Sequence, residues 1–160
     1  MLPSLEDKVY AAGFVDGEGC IYLDRDARPS GRVYHCPKMA VSNTNREVLE
    51  WLQARWGGTI TYRGPLRQDG TPRVFADNCR RKSWDAWHLS GHFVEQFLRD
   101  IIPWLIVKKE EARLLLEYID SPRTMSGRCL SDEELARRDA YHMALQAAKE
   151  SSREPLQVRS

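Results

Sequence analysis

Residues 11–19 read Ala11-Ala12-Gly13-Phe14-Val15-Asp16-Gly17-Glu18-Gly19, a stretch at odds with ordinary helix design. Upstream, Ser4 followed by Asp7 makes a capping-box start, and Leu5, Val9, Ala12 and Phe14 follow at helical spacing. Gly13 and Gly17 lie four apart, with Val9 one turn earlier on the same stripe. Each glycine costs a helix about 1 kcal/mol relative to alanine, so a helix under no other constraint would avoid them. What glycine permits is close approach of a second backbone. Asp16 and Glu18 stand at the C-terminal end, where the helix dipole opposes negative charge by roughly 0.3–1 kcal/mol each. A divalent cation at that end would reverse the conflict. The plain structural alternative is a helix that stops at a Gly-rich cap with solvated acids.

Outward from this helix the chain alternates hairpins and helices. Ile21 and Leu23 alternate with Tyr22 and Asp24, which predicts a strand with one buried face. A turn at Pro29, Ser30 and Gly31 leads to a second strand over 32–43, with Val33, Met39 and Val41 inward and Tyr34, Lys38 and Ser42 outward. Thr44 and Glu47 predict a capped helix carrying Val48, Leu49, Leu52 and Trp56, ended by Gly57 and Gly58. A third strand over 59–63, a loop rich in Gly and Pro, and a fourth strand over 82–89 repeat the hairpin. Helices follow over 93–102, 108–118 after the break at Pro103, and 131–149, where Ser131 and Glu134 cap the start. The order is that of an α+β fold with an antiparallel sheet, helices on one face and a polar, basic and aromatic face left free. Residues 1–150 form one domain and 151–160 a polar, flexible tail. Trp51, Trp56 and Trp104 are assigned to the core by default.

Charge is polarised although the net value is only +1. From Tyr22 to Trp84 there are twelve Lys and Arg against six Asp and Glu, whereas residues 109–139 carry six against eight. A basic middle suits a polyanion, although solvated loops also collect arginine. Arg25, Arg28, Arg32, Tyr34 and Lys38 on the first hairpin join Tyr22 and Asp24 as candidate DNA contacts. Arg63, Arg67, Arg73, Arg80, Arg81 and Lys82 extend the set to the second. A two-stranded ribbon fits the major groove, where arginine reads guanine bidentately, and other cations hold phosphates. Cys20, Cys36, Cys79 and Cys129 form no C-x-x-C pair. With no charged-then-apolar leader, they suggest a reduced intracellular protein, cytoplasmic or organellar. The longest apolar run, 101–107, is broken by Pro103, which speaks against a membrane partner. His88 and His92 are four apart, but Gly91 lies between them and no Cys or His pair completes a zinc site.

The nonapeptide resembles the signature of the LAGLIDADG homing endonucleases, with Ala11 in place of the usual leucine and Glu18 in place of the commoner final aspartate. Trp87-His88-Leu89-Ser90-Gly91 and Pro103-Trp104-Leu105-Ile106-Val107-Lys108-Lys109 also look like that family's fourth strand and later Pro-to-Lys segment. The resemblance implies a helix-hairpin-helix-hairpin-helix core with a four-stranded antiparallel DNA-binding sheet. It implies that Glu18 and the Gly17 carbonyl hold the metal, and the longer Glu arm keeps an oxygen donor suited to Mg²⁺, with Mn²⁺ or Ca²⁺ able to substitute in binding. By the same resemblance Lys108 reaches into the active site, Asn43 positions water, Arg46 is a peripheral arginine and Asp16 is a structural cap.

One motif in the chain implies a homodimer, packed through Val9, Ala12, Gly13, Asp16 and Gly17. The expected function is therefore a magnesium-dependent endodeoxyribonuclease, an intron- or intein-mobility enzyme cutting both strands of a long pseudo-palindromic duplex. Two rivals share the scaffold: an RNA maturase bound to intron RNA, and a non-catalytic DNA-binding regulator. Glu18 together with Lys108 favours cleavage, because a protein that only binds has no use for an acid beside phosphates.

Overall fold

The capping box at Ser4 is formed, with Ser4 Oγ accepting the Asp7 N–H at 3.2 Å and Asp7 Oδ2 accepting the Ser4 N–H at 3.0 Å. From it runs α1, Leu5–Glu18, in a computed structural model that describes residues 2–30, 32–63, 84–122, 125–126 and 129–153. Ala11, Ala12 and Val15 are fully buried, so one face of α1 is small and apolar against the core. Gly19 closes the helix by donating its N–H to the Val15 carbonyl, and the chain passes into β1 (Gly19–Ala27) without a loop. A Cβ at Gly19 would stand 2.7 Å from the Val15 oxygen, so this junction requires glycine.

The sheet continues with β2 (Val33–Asn43), β3 (Thr59–Arg63) and β4 (Trp84–Ser90), in the order β1-β2-β4-β3, every neighbouring pair antiparallel. Helices α2 (Arg46–Trp56), α3 (His92–Ile101), α4 (Lys109–Asp120) and α5 (Asp132–Arg153) complete the α+β architecture. Ile21, Leu23, Met39, Val41, Trp87 and Leu89 form the inner sheet face, packed on Leu49, Leu52, Phe97, Leu98, Ile101 and Leu115 from the helices. Phe97 stands edge-on to Trp56 and Trp87, at 5.0 and 5.2 Å between centroids. The two indoles are satisfied as burial demands: Trp87 donates to the Gly57 carbonyl at 2.8 Å and Trp56 to Asp100 at 3.0 Å. Gly57 and Gly58 both have positive φ, and a Cβ at Gly58 would come within 2.5 Å of the His88 oxygen, so the α2–β3 turn presses directly on β4.

Several expectations shift. The cap of α2 is Asn45, whose side chain accepts the Glu47 N–H at 2.9 Å, and not Thr44. Trp104 is 42% exposed and Trp51 half-buried; the fully buried tryptophan is Trp87, whose strand register turns it inward opposite Val41. Val33 is only half-buried at the strand's open end. A short pair, β5 (Met125–Ser126) with β6 (Cys129–Leu130), was not expected. The last helix reaches Arg153 and so takes in residues 151–153 of the supposed tail. The remainder of that tail, the long loop of the second hairpin, and with it Arg67, Arg73, Arg80, Arg81 and Lys82, lie outside the described residues. Among the described residues no helix is long and apolar enough to cross a membrane.

Candidate active site

Glu18 is the last residue of α1 and is exposed. It opens on a cleft of about 330 Å³ that it lines with Ser42, Asn43, Thr44 and Trp84, where the ends of α1, β2 and β4 converge. Asn43 Oδ1 accepts the N–H of Asn45 at 2.8 Å. That bond fixes the amide, leaving its NH₂ as the donor for the cleft. Gly17, one residue before Glu18, lies in the final helical turn, whose carbonyls have no partner within the helix.

Asp16 organises the neighbouring segment. Its carboxylate accepts the Ile106 N–H at 2.7 Å on one oxygen and the Lys108 N–H at 2.9 Å on the other. In return the Lys108 ammonium donates to the main-chain oxygen of Asp16. A cation thus sits on the negative end of the α1 dipole, the compensation that the acid-rich helix end lacked in sequence, although Lys108 is not among the residues lining the Glu18 cleft. Lys108 is also the N-cap residue of α4, so the same bonds set where that helix starts. The sequence offered no signal for this clamp, since its partners are about ninety residues apart. Arg46 is not among the residues lining the cleft: its guanidinium is bound to Glu50 at 2.7 Å and to Asp85 at 3.3 Å, and the bond to Glu50 chiefly raises its pKa.

The outer face of the sheet carries Cys20, Tyr22 and Asp24 from β1 and Tyr34, Lys38 and Ser42 from β2, alternating with buried neighbours. Lys38 is ion-paired with Asp24, directly across the strand pair from Tyr22, and the hydrogen bond to Asp24 raises the lysine's pKa. Arg28 stacks 4.9 Å above the Tyr34 ring and approaches Asp26 at 3.5 Å; Arg32 is exposed just before β2. Arg25 departs from expectation. It follows Ile21 and Leu23 on the inward alternation and binds Asp139 of α5 at 2.8 Å, so it faces the helices and not the free face. There it stands across from His35, whose Nε2 also meets Asp139 at 2.8 Å. Arg63 ends β3, and its side chain lies outside the described residues, as do five further arginines and lysines of the second hairpin.

No protein-family model matches the chain, and no curated protein matches it in sequence. Solved structures do match it in backbone. The homing endonuclease I-CvuI, in complex with the I-CreI target in the presence of 2 mM Mg with the DNA not cleaved, aligns with a TM-score of 0.69 and 18% identity. That alignment covers 94% of this chain and 86% of the other. The archaeal intron-encoded homing endonuclease I-Vdi141I, complexed with DNA, gives 0.64 and 18%, over 89% and 84% of the two chains. The meganuclease I-SmaMI, bound to uncleaveable DNA, gives 0.59 and 15%, over 86% of this chain but 44% of that one. The chain has the LAGLIDADG homing endonuclease fold.

Within this LAGLIDADG fold, α1 presents two faces. Ala12, expected at a dimer contact, is fully buried in its own protomer and unavailable to a partner. Asp16 is turned to residues 106–108 and is occupied there. Gly13 and Gly17 are exposed, with nothing within 4 Å of where a Cβ would stand, and Val9 is 45% exposed. The glycine stripe is therefore open, and nothing among the described residues packs against it. Ile106, bonded to Asp16 and so beside the helix end, is 86% exposed.

Proposed function

We propose that this chain is a site-specific homing endonuclease of the LAGLIDADG family. It acts as a homodimer on a long, pseudo-palindromic DNA duplex and hydrolyses one phosphodiester in each strand. The observation that carries this reading is the cleft at the end of α1 and β2 lined by an exposed acid (Glu18) and a fixed amide (Asn43), with a cation (Lys108) held on the main-chain oxygen of Asp16, two residues before Glu18. The I-SmaMI alignment adds support: it takes up 44% of a single chain there, which leaves room for a second unit of this size.

The residues fit a divalent metal. A carboxylate and a carbonyl from the last turn of α1 are hard oxygen donors of the kind Mg²⁺ takes, with Mn²⁺ or Ca²⁺ as substitutes in binding. Among the described residues no three His, Cys, Asp or Glu side chains converge, and Glu18 with the Gly17 carbonyl would be the donors this chain offers the metal. When bound, the metal would polarise the scissile phosphate and make water a nucleophile near neutral pH. The protein's own contribution is electrostatic and positional. Lys108 stabilises negative charge on the phosphate, and the Asn43 amide orients a water in the cleft. Arg46, held on Glu50 and Asp85, acts at most from the periphery by keeping the start of α2 against β4. Tyr22, Asp24, Arg28, Arg32, Tyr34 and Lys38 contact DNA from the outer face, and Arg63 with the second-hairpin arginines extends that contact.

The test is recovery of cleaved sites from a random duplex library in Mg²⁺, with chelator as control. Enrichment of one pseudo-palindromic site cut in both strands supports the reading. If no duplex is cut but structured intron RNA is bound, the protein is a maturase; if duplex is bound and never cut, it is a regulator.

A further inference from the structure

β1 is an edge strand, and its outward carbonyls would be left unpaired without cover. Helix α5 provides that cover: His142 Nδ1 meets the Leu23 carbonyl at 2.7 Å. The carbonyl can only accept, so the proton is on Nδ1, and His142 Nε2 accepts in turn from the Gln146 amide at 2.9 Å. Leu145, next on the same side, is buried. One turn further along this stripe, Lys149 passes the edge. Its ammonium is 3.5 Å from Cys20 Sγ and 5.4 Å from the centroid of the Tyr22 ring. Cys20 and Tyr22 alternate with the buried Ile21 and Leu23, so α5 delivers a cation to the outer face of the sheet, two residues from Glu18.

Most other cations around this sheet have a carboxylate: Lys38 has Asp24, Arg25 has Asp139, Arg46 has Glu50 and Asp85. Lys149 has none within ion-pair range among the described residues; a thiol and an aromatic face hold it instead. Asp24 is the only carboxylate lining the adjoining groove of about 320 Å³, and it is already bound to Lys38. A cation whose stem is packed, whose head is unneutralised and which sits beside a strand end expected to meet DNA is arranged to receive an anion.

We propose that Lys149 binds a backbone phosphate of duplex DNA next to the cleavage site, making α5 a part of the nucleic-acid surface rather than only a cover for the sheet edge. This inference rests on the endonuclease reading for the identity of its ligand. The probe is a pool of random-sequence duplexes of ~40 base pairs, with affinity measured against salt for the parent, Lys149→Gln, Lys149→Arg and Arg113→Gln. Arg113, on α4 and paired with Glu110 and Glu117, does not line the groove at Lys149 and controls for net charge. Lys149→Gln is expected to flatten the log–log salt slope by about 0.9, one phosphate's worth. Lys149→Arg should restore it, and Arg113→Gln should leave it unchanged.

A second measurement needs no variant: amine-reactive labelling of the parent should show Lys149 protected by duplex. An unchanged slope in Lys149→Gln, an equal loss in Arg113→Gln, or full labelling of Lys149 in the complex would each overturn the proposal while leaving the endonuclease reading intact. A parent that binds no duplex overturns both.

Discussion

Asp16 and Lys108, ninety-two residues apart in the chain, are joined twice: the Asp16 carboxylate accepts the Lys108 main-chain N–H at 2.9 Å, and the Lys108 ammonium donates to the Asp16 main-chain oxygen. The first bond fixes where the lysine starts and the second where it ends. With the Ile106 N–H on the other carboxylate oxygen, Asp16 behaves as a peg on which the segment before α4 hangs.

Replacing Asp16 by alanine removes two charge-assisted hydrogen bonds, and each such bond is worth about 1.5–3 kcal/mol where it is shielded from water. Because Asp16 is only half-buried, a total near the lower end, about 2 kcal/mol, is expected in denaturant unfolding. Cleavage should fall further than stability explains, because Lys108 loses its anchor. If single-turnover cleavage at full saturation with DNA is unchanged, the clamp is structural only.

Lys108→Met keeps the stem and deletes the charge. Cleavage should slow by orders of magnitude while affinity for the cut site stays within a few-fold, since phosphate-charge stabilisation matters most in the transition state. A purely structural lysine would show the reverse pattern, a lower melting temperature with an unchanged cleavage rate.

Glu18→Gln tests the metal. The acid stands at the unfavourable end of α1 and, on DNA, close to phosphates, so its charge repels the substrate unless cations intervene. The Gln variant should bind duplex as well as the parent or better without Mg²⁺, and cut neither strand with it. Near-parental cutting would remove Glu18 from the metal's ligands.

The elements near Glu18 were legible because each carries a local signature: a capping box at Ser4, strict alternation over residues 20–24, paired glycines at 57 and 58. Boundaries moved where a competing side chain offered a better cap, as Asn45 did over Thr44. The face of the sheet was legible from period-two alternation for Tyr22 and Lys38 but not for Arg25, because charge alone argued for the free face while the pleat turned it to Asp139. Ala12 was misplaced by the same habit of reading a small-residue stripe as one surface, when the helical turn of about 100° per residue rotates it away from Gly13 and Gly17 and into the core. The Asp16 clamp and the α5 cover over the β1 edge are long-range and leave no trace in spacing.

The Arg25–Asp139–His35 cluster predicts how stability depends on pH. Burial, the largest influence, pushes the His35 pKa below its ordinary value, and the bond from Arg25 chiefly lowers that of Asp139. A depressed folded pKa means that the unfolded chain binds more protons, so the stabilising contribution is present above the unfolded pKa and is lost as pH falls. For His35 the loss begins below about 6.5, and for Asp139 below about 4. Urea unfolding of the parent should therefore show stability decreasing from pH 7 to pH 5, and His35→Gln should remove most of that slope. A stability that rises over this interval would contradict the assignment of a neutral, buried His35.

The dimer is tested where the protomer gives nothing away. Gly13 has nothing among the described residues within 4 Å of where a Cβ would stand, so a side chain can start there without meeting them. Taken alone, the protomer should tolerate Gly13→Leu or gain helix stability by up to about 1 kcal/mol, because glycine is the poorer helix former. If a second copy of α1 packs on this stripe, the leucine stands in its path and the dimer is lost. Sedimentation at micromolar concentration should then show a dimer for the parent and a folded monomer for Gly13→Leu. On the proposed homodimer reading the variant should also cease to cut both strands of the site, since one copy would address only one strand. A parent that is monomeric both free and on DNA would end the homodimer reading. A Gly13→Leu protein that remains dimeric would place the interface elsewhere and leave the glycine stripe without a purpose.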